Sequence, residues 1–145
     1  MSAIPQVTKA GPKSFTPAEL ILGGQLVEAR AAGRIGVAAA GSTKVLGVAL
    51  TDAQNPDTFT GEPVIVNGRP VLNAAVLPSV VAVAYGGIET PVVYAAAAVF
   101  GDRLVAAAGG KVTPAAATPD ARTIVGICTA PAGVAANATG LMRTA

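Results

Sequence analysis

The sequence predicts an all-β protein, a small β-sandwich or barrel-like domain with an internal repeat and an extended N-terminal arm. Three observations support this fold class. Short runs rich in Val, Ile and Thr alternate with Gly, Pro, Asn and Asp at intervals of about eight to twelve residues. No segment keeps a helical period over three turns. Asn67-Gly68 stands between two β-branched runs, and this dipeptide is a strong hairpin signal.

The first fifteen residues predict an arm that lies outside the core. They contain prolines and lysines but no acidic residue before Phe15, namely Pro5, Lys9, Pro12 and Lys13. Few apolar anchors are present, so the segment has little to bury. We therefore assign residues 1–15 to an extended arm and residues 16–145 to a single β-rich domain.

The first half of the domain contains three punctuated segments. Thr16–Glu19 fits both a helix start and a strand entry, and we favour the strand because Gly23-Gly24 follows so soon. Gly41-Ser42-Thr43 is interpreted as a hairpin turn between RIGVAAA and KVLGVAL, because Ser42 stands where a phosphate-binding loop needs its lysine. Asn55-Pro56-Asp57 indicates another loop.

The second half continues the same pattern. We predict a hairpin over Glu62–Leu72 with Asn67-Gly68 in a type I′ turn. Ala95–Ala98 has helix propensity, but the flanking Val, Tyr and Phe residues favour a buried strand. Gly109-Gly110 predicts a turn between RLVAAA and KVTPA.

Two parts of the chain resemble each other, which indicates a duplicated β unit. The stretch 23–53 matches 100–132, with Leu26-Val27 against Leu104-Val105 and Leu46-Gly47-Val48 against Val125-Gly126-Ile127. A chain this rich in Ala, Val and Gly also matches itself by chance, so chance similarity remains the alternative. A real repeat would flank a hairpin region at about 61–91.

Composition and charge exclude several function classes. The net charge is +2 and the cations are scattered, whereas nucleic-acid binding needs a basic stripe. Residues 70–88 carry no charge, but Asn73, Pro78 and paired glycines interrupt them, so we expect no membrane span. The opening residues lack an apolar stretch of signal-peptide length, so we expect synthesis in the cytoplasm.

Catalytic and cofactor chemistry has little support in the sequence. The chain has no His, so neither its serines nor its single cysteine, Cys128, has an imidazole base, and we expect Cys128 to be a buried small hydrophobe. The acidic residues lie beside turn residues, and no Asp-x-Asp or Cys-x-x-Cys pattern suggests a metal. We therefore expect no enzyme activity, no cofactor and no metal. The five aromatic residues are expected to anchor the core.

The chain resembles the capsid decoration (cement) proteins of tailed bacteriophages, especially those of actinobacterial hosts. The similarity lies in FTPAE at 15–19, GGQLVE at 23–28 and GSTKVLGVA at 41–49, and it continues through 94–105, 110–114, 124–128 and 133–143. It covers about residues 16–145. The mean hydropathy of +0.58 agrees with a homo-oligomer or assembly component, because a monomer of this size does not easily hide so much apolar surface.

The resemblance implies a structural protein of the virion exterior. Such proteins bind the outer surface of an assembled capsid, commonly as homotrimers at three-fold positions, and stabilise the shell. The partners would be the major capsid protein and further copies of the chain, with no direct contact to nucleic acid or membrane. The arm would then contact the capsid through residues Lys9, Pro12, Lys13 and Phe15, with strand addition as one way of binding.

Two other function classes stay open. Another virion part, such as a head fibre base or a tail component, would share the oligomeric β character. A small ligand-binding β module or a His-free hydrolase is the second class, although carbohydrate sites usually present exposed aromatic residues and this chain has no Trp.

Overall fold

A computed structural model of the 145-residue chain describes residues 11–58, 62, 64–71 and 77–145. Twelve strands make up this described part: β1 (Lys13–Phe15), β2 (Leu26–Ala29), β3 (Ile35–Val37), β4 (Val45–Ala49), β5 (Val64–Val66), β6 (Arg69–Val71), β7 (Val81–Ala84), β8 (Glu89–Val93), β9 (Arg103–Ala107), β10 (Lys111–Pro114), β11 (Ile124–Cys128) and β12 (Thr139–Thr144). Its helical segments are three-residue 3-10 turns, so the all-β prediction is confirmed. Within the same residues, no helix has the length and apolar character needed to cross a membrane.

Ten of these strands form two five-stranded antiparallel sheets. The first sheet has the order β1-β7-β4-β2-β3, the second has the order β10-β9-β11-β12-β8, and β5 and β6 pair separately as a hairpin. The two orders are identical when β1, β2, β3, β4 and β7 are equated with β8, β9, β10, β11 and β12. We refer to the first sheet and its connections as unit 1 and to the second as unit 2.

Strand register makes the correspondence between the two units residue-specific. Val27 lies opposite Gly47 in unit 1, and Leu104 lies opposite Gly126 in unit 2. The sequence comparison also equated Gly47 with Gly126, but it equated Leu26 with Leu104 and was one residue out of register there. The alignment by sequence paired Leu26-Val27 with Leu104-Val105 because both are Leu-Val pairs. The hydrogen-bonded register instead equates Val27 with Leu104.

The two units share a hairpin turn of the same backbone conformation. Ala31–Gly33 joins β2 to β3, and Ala108–Gly110 joins β9 to β10. The middle residues have φ 57° and ψ 28° at Ala32 and φ 72° and ψ 25° at Gly109, and the last residues have φ 69° and 71°. The predicted Gly109-Gly110 turn is confirmed. Its counterpart was not predicted, because Ala32 occupies a left-handed position that usually takes Gly or Asn.

Each unit buries its own core at equivalent positions. The buried residues of unit 1 include Ile21, Val27, Ile35, Ala49, Ala53 and Val83, and their equivalents in unit 2 are Ala98, Leu104, Val112, Cys128, Val134 and Met142. Pro17, which follows β1, forms a parallel bridge to Ile35 on β3, and Tyr94, which follows β8, bridges Val112 on β10 in the same way. Each sheet therefore approaches a closed barrel.

A hairpin inserted in unit 1 breaks the symmetry. Ala53 and Val81 of unit 1 correspond to Val134 and Gly140, which lie only a few residues apart in unit 2. The longer connection of unit 1 carries β5 and β6, whose turn residues Asn67 and Gly68 have φ 50° and 73°. Both values are positive, as a type I′ turn requires, so the predicted hairpin is confirmed.

Three local predictions were wrong. Thr16–Glu19 is not a strand, because β1 ends at Phe15 and Pro17 makes only an isolated bridge. Ala95–Ala98 is not a strand, because β8 ends at Val93 and only Tyr94 and Ala98 make isolated bridges. Gly41-Ser42-Thr43 is not a hairpin turn, because β3 and β4 lie on opposite sides of β2. β2 and β3 already form a hairpin through the Ala31–Gly33 turn. The chain after β3 therefore has to cross to the other edge of β2 before β4 can pair there.

Candidate functional site

The structure places the predicted contact residues of the arm in two different settings. Lys9 lies outside the described residues, and Pro12 is exposed immediately before β1. Lys13 and Phe15 belong to β1 and pair with Val83 and Val81 of β7, so this end of the predicted arm is part of the sheet. The reason is that Phe15 has an apolar partner in the core of unit 1.

Lys13 and Phe15 border a shallow cavity at the surface of unit 1. The Lys13 Nζ atom lies 5.3 Å from the centre of the Phe15 ring, within the range of a cation–π contact. Leu46 and Tyr85 complete the lining of a cavity of about 240 Å³. Its mixed apolar and cationic lining suits contact with another protein surface better than the binding of a small polar molecule.

The groups that could support catalysis are held in structural roles. Cys128 is fully buried, and its thiol lies beside the hydroxyl of Tyr94, which donates a hydrogen bond of 2.9 Å to the Leu141 carbonyl oxygen. Burial raises the pKa of Tyr94, so that hydroxyl keeps its proton. Asp52 and Asp102 accept hydrogen bonds from the amides of Gly23 and Val99. Among the described residues no cluster of His, Cys, Asp or Glu could hold a metal ion.

The two units pack against each other through different sides of the shared scaffold. Unit 1 contributes three buried residues to the contact, namely Leu26, Ala38 and Val48, which we refer to as the covered face of unit 1. Unit 2 contributes Ala106, Gly110 and Val125, which we refer to as the covered face of unit 2. The contact is therefore heterologous, because the two contributing surfaces are not equivalent.

The backbones of the two units approach each other closely at this contact. The Gly41 amide donates a hydrogen bond of 2.9 Å to the Ala106 carbonyl oxygen, and Gln25 Nε2 donates one of 3.2 Å to the Gly109 carbonyl oxygen. A Cβ atom on Gly110 would come within 2.9 Å of Gln25 Cβ and of the Leu26 carbonyl oxygen. The Ala108–Gly110 turn of unit 2 is thus inserted against β2 of unit 1.

Each covered face has an equivalent on the other unit that is more exposed. The equivalents of Ala106, Gly110 and Val125 are Ala29, Gly33 and Leu46, which we define as the open face of unit 1. The equivalents of Leu26, Ala38 and Val48 are Arg103, Ala115 and Ile127, which we define as the open face of unit 2. Leu46 and Ile127 are each 37% exposed, whereas Val125 and Val48 are 8% and 0% exposed.

Charged residues surround the open face of unit 1. Glu28 is only 7% exposed, accepts a hydrogen bond from the Ala39 amide and pairs with Arg30 at 3.1 Å. Burial alone would raise the pKa of Glu28, but hydrogen bonds from Ser42 and Ala39 and the charge of Arg30 outweigh it, so the pKa is lowered. Arg34 pairs with Asp57 at 2.6 Å and so ties this turn to the start of the insertion.

The open and covered faces were not predicted from the sequence, although several of their residues were named among the repeat positions. The predicted site consisted of arm residues, and the structure brings Lys13 and Phe15 next to Leu46 at the edge of the open face of unit 1. Tyr94 is fully buried and Phe15 packs against the core of unit 1, as expected of aromatic anchors, but Phe100 is 63% exposed. A signal that could have revealed the faces is the exchange of Leu26 for Arg103 between the repeats.

These features define a class of duplicated antiparallel β protein whose two barrel-like units join through nonequivalent apolar faces. Among solved structures, the chain is similar to the head fibre gp8.5 N base of bacteriophage phi29, with a TM-score of 0.58 over 92% of each chain and 14% sequence identity. At this identity the likeness shows the fold. No family model and no curated protein matches the sequence.

Proposed function

We propose that the chain is a structural protein of a phage virion that binds the outside of an assembled capsid as a homotrimer and stabilises the shell. Its partners are the major capsid protein and further copies of itself, and its role is not enzymatic. The observation that carries this proposal is the fold likeness to a phage head fibre base over 92% of both chains.

The surface of the described residues is consistent with such a role. Exposed apolar side chains are spread over several elements rather than gathered in one deep pocket, among them Ile65 and Val66 on the inserted hairpin and Leu46 on unit 1. Extended contact surfaces of this kind suit protein–protein association. The proposal places capsid contact on the arm, with Lys9, Pro12 and Lys13 meeting acidic capsid surface and Phe15 anchoring the arm to unit 1.

The test is co-sedimentation of the purified chain with mature heads that lack it, measured as copies bound per shell. We expect saturation at a lattice-defined multiple of three, with bound heads more resistant to heat than bare heads. The double variant Lys9→Glu/Lys13→Glu should bind more weakly. Its control is Arg69→Glu/Arg122→Glu, which changes the net charge equally at exposed positions outside residues 1–15. Absence of binding to intact heads would contradict the proposal.

The second candidate is a head fibre base, and the same structural likeness favours it, since the similar protein is itself described as a head fibre N base. The two candidates differ in how the chain is carried by the virion. A decoration protein should be found in virions as a polypeptide of 14.1 kDa distributed over the lattice. A fibre base should be found joined to a shaft that projects from the head, which electron microscopy and the mass of the virion-borne polypeptide would reveal.

A further inference from the structure

Each of the two units buries its covered face and leaves its open face more exposed. Within one chain, the covered face of unit 1 packs on the covered face of unit 2. The open face of unit 2 has the same backbone positions as the covered face of unit 1, and the open face of unit 1 has those of the covered face of unit 2. The chain therefore presents, at these two more exposed faces, both halves of a contact that it already makes internally. Leu46 lies at the edge of the internal contact, where it shares a groove with Val125.

We propose that a second copy of the chain covers the open face, so that Ala29, Gly33 and Leu46 of one chain pack on Arg103, Ala115 and Ile127 of the next. This is a head-to-tail contact, since each copy uses a different surface on each side. It deepens the proposed function, on whose self-association it rests, by assigning the residues through which copies meet.

The conformation of the exposed turn supports this occupant. Gly33 has the left-handed conformation of Gly110, but Gly33 is exposed and a Cβ atom there would meet nothing within 4 Å, whereas Gly110 is buried against unit 1. The turn Ala31–Gly33 is thus already in the shape that its counterpart has when inserted against β2. The equivalent of β2 in unit 2 is β9, which in a partner chain would receive this turn as β2 receives Ala108–Gly110.

The side chains that differ between the internal contact and the proposed one fit separate chains. Gln25, which donates to the Gly109 carbonyl oxygen, is replaced by Asp102, and the turn Ala31–Gly33 is flanked by Arg30 and Arg34. In the proposed contact the Asp102 carboxylate would lie near these two arginines, each of which already pairs with a carboxylate of its own chain. Leu26 is likewise replaced by Arg103, and a more polar composition is typical of surfaces that are exposed before association.

The first experiment mixes two variants that each damage one side. Leu46→Asp disrupts the open face of unit 1, and Ile127→Asp disrupts the open face of unit 2, at two positions of equal exposure. In sedimentation velocity we expect the wild type to form multi-chain species and each variant alone to remain a single chain. Their equimolar mixture should give a species of two chains, because one intact contact remains possible. Val99→Asp is the control, since Val99 and its equivalent Leu22 are both exposed.

Each alternative outcome overturns the proposal. A single-chain wild type at its highest soluble concentration would show that no copy covers these faces. If only one of the two variants lost association, the contact would be between identical faces. If the mixture stayed single-chain, the two faces would not be partners. None of these readouts uses a capsid, so a failure here is distinguishable from a failure of capsid binding.

A cysteine pair provides a second measurement that does not depend on variant affinity. Gln25 and Gly109 are hydrogen-bonded within the chain, and their equivalents are Asp102 and Ala32. We expect Asp102→Cys and Ala32→Cys chains to form an interchain disulfide when mixed under mild oxidation and wild-type Cys128, which is buried, to remain reduced. Crosslinking of Ala32→Cys with itself, or no crosslink in the mixture, would contradict the head-to-tail arrangement.

Discussion

Unit 1 and unit 2 have the same strand order, the same hairpin turn and equivalent cores, yet they bury different outer positions of the scaffold. Val48 is fully buried in unit 1 while its equivalent Ile127 is 37% exposed, and Val125 is 8% exposed while its equivalent Leu46 is 37% exposed. The backbone is the same in both cases. The difference therefore teaches that burial of these outer positions depends on the neighbour and not on the fold of the unit.

The inner positions differ in another way, because each unit fills its core with a different set of side chains. Ile21 bridges Ala53 in unit 1, and Ala98 bridges Val134 in unit 2, so a large and a small residue have changed places across the bridge. A third position also changes in size, since Val81 of unit 1 corresponds to Gly140 of unit 2. These three positions hold less side-chain volume in unit 2, whereas Leu104, Cys128 and Met142 are larger than their equivalents in unit 1. The two cores therefore distribute their volume differently, which agrees with the tolerance of cores to compensated changes.

The strongest test of the comparison is at a glycine that both units keep. A Cβ atom on Gly47 would meet the Ala84 carbonyl oxygen, and one on Gly126 would meet the equivalent Arg143 carbonyl oxygen. We expect Gly47→Ala to lower the free energy of unfolding in urea by about 3 kcal/mol, because the neighbouring strand has to move. Gly41→Ala is the control, since only its φ of 68° is unfavourable and a Cβ there meets nothing within 4 Å.

That control should cost only about 1 kcal/mol. Equal losses for the two variants would show that backbone conformation, and not the close approach of β7 to β4, determines the need for glycine at Gly47. The close approach of the neighbouring strand would then not be what keeps glycine at this position in both units.

A smaller effect is expected where the cores differ. A Cβ atom on Gly140 would lie 2.9 Å from Val134 Cγ1 and 3.1 Å from Val134 Cβ, whereas unit 1 has Val81 beside the smaller Ala53. We expect Gly140→Ala to destabilise the chain by about 2 kcal/mol. Adding Val134→Ala should recover part of this loss, because the pair then approaches the arrangement of unit 1. Strict additivity of the two changes in a double-mutant cycle would refute the idea of volume exchange.

Much of the local structure could be predicted from sequence because it depends on residues adjacent in the chain. Asn67-Gly68 and Gly109-Gly110 carry left-handed conformations that few other residues adopt, and both turns are confirmed. The hairpin at Ala31–Gly33 was missed because Ala32 is held left-handed by its surroundings and not by its own preference. Ala95–Ala98 was wrongly assigned to a strand, since small apolar residues fit several conformations equally well.

The candidate site depends on contacts that no local pattern encodes. Lys13 and Phe15 were predicted as contact residues from the composition of the arm and the resemblance to decoration proteins, and their pairing with β7 requires the core of unit 1 to exist first. The open and covered faces emerge only when the units are superposed by strand register. An Arg at 103 in place of Leu26 is visible in the sequence, but its meaning depends on knowing that the two residues are equivalent.

The smallest expected effect concerns a carboxylate that unit 1 has and unit 2 lacks, since Glu28 corresponds to Val105. The pKa of Glu28 is lowered from its ordinary value of 4.5, so its charged form stabilises the fold at neutral pH. We expect Glu28→Gln to lower the free energy of unfolding by about 1 kcal/mol at pH 7. Because the folded pKa is below the unfolded one, this contribution is complete above the unfolded value and disappears as the pH falls through the folded value.

Urea unfolding at neutral and acidic pH should therefore show the stabilities of the wild type and Glu28→Gln converging in acid. The control Glu89→Gln, at an exposed position, should differ little from the wild type at either pH. A difference that stayed constant with pH would mean that the shape of the side chain, and not its charge, is what unit 1 requires at this position.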